Sequence, residues 1–74
     1  MGKLRSLSGQ DVCKILADHG FVQVRQRGSH VIMQRRTNNS TTTLPVPVHK
    51  ELRKGTLRSI IRQSRLPHSL FEAS

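Results

Sequence analysis

The chain has 74 residues, 13 Lys and Arg against 4 Asp and Glu, and a formal net charge of +9 with neutral histidines. Such a length holds one small domain with a single thin core, which excludes an enclosed cofactor cavity and leaves any active site shallow and open. The charge points to a polyanionic partner, nucleic acid ahead of a membrane surface, because no stretch nears the roughly 20 apolar residues that a membrane span needs.

The amino-terminal residues lack the apolar centre of a secretory signal. Cys13 is the single cysteine, so neither a disulfide framework nor a zinc site is supported. A soluble protein of a reducing cytoplasm, without metal or cofactor, is the expectation.

In chain order, Ser8 reads as a helix N-cap with Asp11 three residues on, and Leu7 is placed to staple onto Val12. Val12, Ile15, Leu16 and His19 follow at the spacing of one buried helical stripe. Gly20 stops the helix as a left-handed residue, with Phe21 folding back onto Leu16. The predicted helix covers about residues 9 to 19.

From Phe21 the period becomes two. Val22 and Val24 alternate with Gln23 and Arg25, Gly28-Ser29 interrupts, and Val31 and Met33 alternate with Ile32 and Gln34. A two-residue loop opening on Gly is the signature of a type II′ hairpin. The predicted register sets Arg27 opposite His30, Gln26 opposite Val31, Arg25 opposite Ile32 and Val24 opposite Met33. One face then carries Val22, Val24, Val31 and Met33, and the other carries Gln23, Arg25, Arg27, His30, Ile32 and Gln34. A slip of one residue would reverse the faces.

Arg35 to Ser40 reads as a polar connection with Asn38-Asn39 at its tip. Thr41 to Val48 is a third strand, held to an edge by Pro45 and Pro47, which cannot donate to a ladder. Continued alternation turns His49 to the same open face as His30. Lys50 to Gly55 is a linker or the approach to a second helix, whose apolar positions are Leu57, Ile60 and Ile61 and whose end is set by Leu66-Pro67. Residues 68 to 74 either form a last turn through Leu70 and Phe71 or fray.

The order helix, three-strand meander, helix resembles the double-stranded-RNA-binding-domain (dsRBD) topology. The fold expected is therefore α+β, dsRBD-like α-β-β-β-α, with a three-stranded antiparallel sheet and two helices on one face. Five segments narrow this: Leu7-Ser8-Gly9, His19-Gly20-Phe21, Arg25 to His30, Val46 to His49 and Lys54 to Gln63. Together, over about residues 4 to 66 of a single domain spanning 1–74 with a tail at 67–74, they resemble the HicA toxin family of type II toxin–antitoxin systems. The resemblance implies a small metal-independent endoribonuclease, an mRNA interferase, kept silent by a HicB-like antitoxin. It also implies that the histidine of the Gly-Ser-His motif, His30 here, is catalytic.

The chemistry suits an imidazole. RNA is cleaved without a metal when its 2′-hydroxyl attacks the adjacent phosphorus, which needs a proton removed there and one supplied to the leaving 5′-oxygen. Histidine exchanges protons near neutrality and serves as either base or acid. Arg25 and Arg27 are candidates to bind the scissile phosphate, and Ser29 and the turn amides are candidate donors. His49, beside Lys50, is either a second proton carrier and substrate contact or the mark of a strand end. The 9 Arg against 4 Lys favour phosphate binding, since guanidinium pairs bidentately with it. The alternatives are a non-catalytic RNA-binding module of the same fold, or an interaction domain for an acidic partner. His19 is expected at a helix terminus, His68 in solvent, and Cys13 and Met33 in the core.

Overall fold

The structure, a computed structural model, describes residues 3–72, so the part of the turn-or-tail reading that falls on residues 73 and 74 lies outside it. Two local codes set the first element. Ser8 Oγ accepts the Asp11 N–H at 3.0 Å while the Asp11 carboxylate accepts the Ser8 N–H at 3.0 Å. This reciprocal capping box opens helix α1, Gly9–Asp18. Leu7 and Val12, on either side of the cap, are both fully buried. At the other end Gly20 has φ +94°, the Gly20 N–H reaches the Ala17 carbonyl and the Phe21 N–H reaches that of Leu16. That is the Schellman pattern the Gly-Phe pair predicted.

Three strands follow, β1 Val22–Arg27, β2 His30–Arg36 and β3 Thr41–Pro47, in the antiparallel order β1-β2-β3. Gly28, at φ +57°, is the only positive-φ residue of the β1–β2 turn, as the first corner of a type II′ turn requires. Pairing runs as predicted from Arg27 opposite His30 through Gln26–Val31 to Arg25–Ile32. There it breaks. A β-bulge between Gln23 and Arg25 sets Gln23, not Val24, opposite Met33 and Val22 opposite Gln34. Val22 and Val24 are 59% and 46% exposed, so neither shares the buried face with Met33.

Strand β2 also runs longer than expected. Arg35 and Arg36 pair with Thr42 and Thr41, leaving a four-residue loop in which the Thr37 N–H and hydroxyl both reach the Ser40 carbonyl around Asn38-Asn39. On the far side of β2 the Val48 N–H donates to the Ser29 carbonyl at 2.7 Å. Ladder donors alternate along a strand, so Val46 and Leu44 also face β2, and the nitrogens of Pro45 and Pro47 lie at the open edge.

Helix α2 spans Lys54–Ser64, taking in the last two residues, Lys54 and Gly55, of the stretch expected as its approach. Its Leu57, Ile60 and Ile61 join Val12 and Leu16 of α1 and Met33, Leu44 and Val46 of the sheet in one core, so both helices cover the same sheet face. The fold is α+β in the order α1-β1-β2-β3-α2. A short 3₁₀ helix, His68–Phe71, closes the described chain with Phe71 fully buried and a bridge between Leu4 and Glu72. The last turn therefore forms and contributes to the core. His68 is not merely solvated, since its Nδ1–H donates to the Glu72 carboxylate at 2.6 Å. Among the described residues no helix is long and apolar enough to cross a membrane.

Candidate functional site

The sheet face turned away from the helices holds the candidate residues Arg25, Arg27 and His30. The register places Arg27 opposite His30 on β1 and Pro47 opposite His30 on β3, and sets Arg25, Ile32 and Pro45 in line two pairs further on. Cross-strand partners share a face. Arg25, Arg27, His30, Ile32, Thr43 and Pro45 accordingly line one open cleft of about 570 Å³. His30 is exposed, and it makes no side-chain hydrogen bond to another described residue, so its ring is free to meet a ligand.

The hairpin turn aims it. Gly28 takes the positive-φ corner, where a Cβ would meet nothing within 4 Å, so backbone conformation and not space asks for glycine; the Gln26 side-chain amide donates to the Gly28 carbonyl at 3.2 Å, and the Ser29 carbonyl is held by Val48. A turn of a different length would change the register and move His30 to the helix-covered side.

A second cleft, of about 380 Å³, lies on the other side of the same imidazole. It is bounded by Pro45 and Pro47 at the sheet edge and by Thr56, Ser59 and Gln63 of α2. No acidic residue lines either cleft.

His49 and Lys50 are not part of this arrangement. Strand β3 ends at Pro47, so the alternation that was to turn His49 toward His30 lapses. Instead the His49 carbonyl accepts the Gly9 N–H at 2.9 Å, and His49 and Lys50 line a separate cavity with Ser8 and Gln10 at the start of α1. A Cβ on Gly9 would overlap the Pro47 carbonyl, which is why this junction takes the smallest residue. Ser29 stands at the turn beside His30 but contributes its backbone carbonyl to the fold.

The sequence sets Ile32 on the face of His30 but does not single out Thr43 and Pro45, nor Thr56, Ser59 and Gln63. The β2–β3 pairing Ile32–Pro45 and the i, i+3, i+7 spacing on α2 are the signals that would have found them. Away from the clefts, burial pushes the Cys13 thiol up from its ordinary range, which marks it as a packing residue. Among the described residues no group of three or more His, Cys, Asp or Glu is placed to hold a metal ion.

The family model described as the HicA toxin of bacterial toxin–antitoxin systems matches residues 9–66. The chain belongs to the HicA toxin family. Among curated proteins and solved structures nothing matches. The matched span of this HicA-family chain opens at the first residue of α1 and closes two residues past α2. It thus takes in the whole sheet, the turn that aims His30 and both clefts.

Proposed function

We propose that this HicA-family toxin is an endoribonuclease that cleaves messenger RNA, with His30 as its proton-transferring residue. The observation that carries the reading is the placement of His30 on an open sheet face, directly opposite Arg27 and two pairs along the ladder from Arg25, on the same face. In the reaction the 2′-oxygen loses its proton and bonds to phosphorus as the bond from phosphorus to the 5′-oxygen breaks, and the 5′-oxygen takes up a proton. Products are a 2′,3′-cyclic phosphate and a 5′-hydroxyl. His30 removes the first proton or supplies the second, and the two guanidiniums bind the phosphoryl oxygens as charge gathers on them. DNA lacks the 2′-hydroxyl and is not a substrate.

The inhibitory partner is a HicB-like antitoxin whose acidic surface covers this basic face. Complementary charge speeds such association and hides the clefts together.

Purified protein is incubated with RNA in excess chelator beside the His30→Ala variant. The variant is expected to cleave slower by about 10²-fold or more, and cleavage at the wild-type rate would overturn the role of His30. No cleavage by either protein, with binding retained, would replace the enzyme by an RNA-binding module.

A further inference from the structure

Helix α2 has a polar stripe that RNA cleavage at His30 leaves unused. Thr56, Ser59 and Gln63 lie on one helical face beside the buried Leu57 and Ile60. They are neutral in a helix that carries Lys54, Arg58 and Arg62 at exposed positions. All three front the second cleft next to His30.

We propose that this cleft is a nucleobase subsite. Resting on the ribonuclease reading, it takes the base of the nucleotide flanking the phosphate held at Arg25 and Arg27, with Gln63 as the residue that reads its edge. Charge divides the two clefts. The first has both arginines, while the second is lined by hydroxyls, an amide, proline rings and Ile60, with no Lys, Arg, Asp or Glu, and the His30 imidazole stands between them. Phosphates are bound by the former kind of lining, and base edges are read by the latter.

Gln63 is also preorganised. Its side-chain Nε2–H donates to Ser59 Oγ at 2.9 Å, which holds the amide while leaving its oxygen as an acceptor, a second N–H as a donor and the Ser59 hydroxyl proton as another donor. The base has no aromatic platform here, because Phe21 and Phe71 are the only aromatic rings of the FWY type and both are buried. The rings of Pro45 and Pro47, turned outward at an open edge, supply the flat apolar surface instead. A volume of about 380 Å³ lies at the lower end of the range for small-ligand sites, about 300–1,000 Å³, as a single nucleotide requires.

Two measurements test this. Wild-type protein is titrated with an uncleavable 2′-O-methyl hexaribonucleotide and followed by NMR. The backbone amides of Gly55, Thr56 and Ser59 and the side-chain amide of Gln63 are expected to shift with the same saturation as Arg25 and Arg27. Shifts confined to the arginine cleft would overturn the subsite. Separately, cut sites and rates on a random RNA pool are compared for wild type and Gln63→Leu, an exposed position where the change leaves the core intact. Loss of a base hydrogen bond should lower kcat/KM by about fivefold and flatten the base preference at one position beside the cut. An unchanged cut-site distribution and rate would refute it. If wild type leaves RNA intact, the ribonuclease reading fails while the titration still decides whether the cleft binds a base.

Discussion

Ser8 and Asp11 show how much a single pair of side chains decides. Each satisfies the other's backbone N–H, and the Ser8 backbone and hydroxyl hydrogen bonds hold the Asp11 carboxyl below its ordinary value of 3.8. A carboxyl depressed in the folded state gives its full stabilisation above the unfolded value and loses it as pH falls through the folded one. Wild type should therefore melt higher than Asp11→Asn at pH 7, and the gap should close on acidification below 3.8. An equal gap in melting temperature at pH 7 and pH 2.5 would exclude the linkage. Removing the other half of the box, Ser8→Ala, should cost about 1 kcal/mol in urea unfolding. This cap was legible in the sequence because it is local: the Ser8 and Asp11 side chains reach backbone only three residues away.

At the scale of elements the decisive residue is Arg35, which sequence reading assigned to a loop. It lies on the helix-covered side of β2, where Nη1 donates to the His19 carbonyl at 3.2 Å and Nη2 to the Ser64 carbonyl at 3.3 Å. One guanidinium thus joins the carboxyl-terminal ends of α1 and α2, where carbonyls lack partners and the helix dipoles are negative. It also stands 4.9 Å over the Phe21 ring. Replacing it by Met, which keeps an apolar stem, should destabilise the fold by about 1–2 kcal/mol. Arg35→Lys should recover only part of that, since one ammonium cannot span both carbonyls. Equal stability of all three proteins in urea would dismiss the clamp. The signal was present, because Val31, Met33 and Arg35 share a parity, but an arginine reads as solvent-facing until two helix ends are known to meet over it. The bulge at Val24 was hidden for a related reason. Val-Gln-Val-Arg alternates smoothly, and nothing in an uncovered edge strand rewards one register over the other. Only the three pairs nearest the turn, set by Gly28, were fixed locally, and those three are the ones that place His30.

Across the whole molecule the charge has a definite address. Asp11 and Asp18 lie at or within α1, Glu51 in the linker and Glu72 at the terminal bridge, so the acidic groups leave the His30 face to Arg25, Arg27 and, at the far end of β2, Arg36, and the exposed side of α2 to Lys54, Arg58 and Arg62. If RNA is the substrate, as proposed, a single strand following that surface would have its phosphates neutralised by these side chains and would release their counterions. For single strands the logarithm of affinity falls with the logarithm of salt concentration at a slope of about −0.7 per phosphate contacted. Contacts from Arg25, Arg27 and one or two cations of α2 predict a slope of about −2 to −3 for the uncleavable hexaribonucleotide. Arg27→Gln should weaken binding at low salt and make the slope shallower by about 0.7, and Lys14→Gln, exposed on α1 at the opposite side of the sheet, should leave it unchanged. Equal slopes for the two variants would mean that RNA binds elsewhere on the cationic surface. The same contrast measured with the antitoxin, read as association rate against salt, asks whether toxin substrate and toxin inhibitor compete for one face. If Arg27→Gln weakens RNA binding and slows antitoxin association while Lys14→Gln does neither, inhibition works by covering the phosphate site itself.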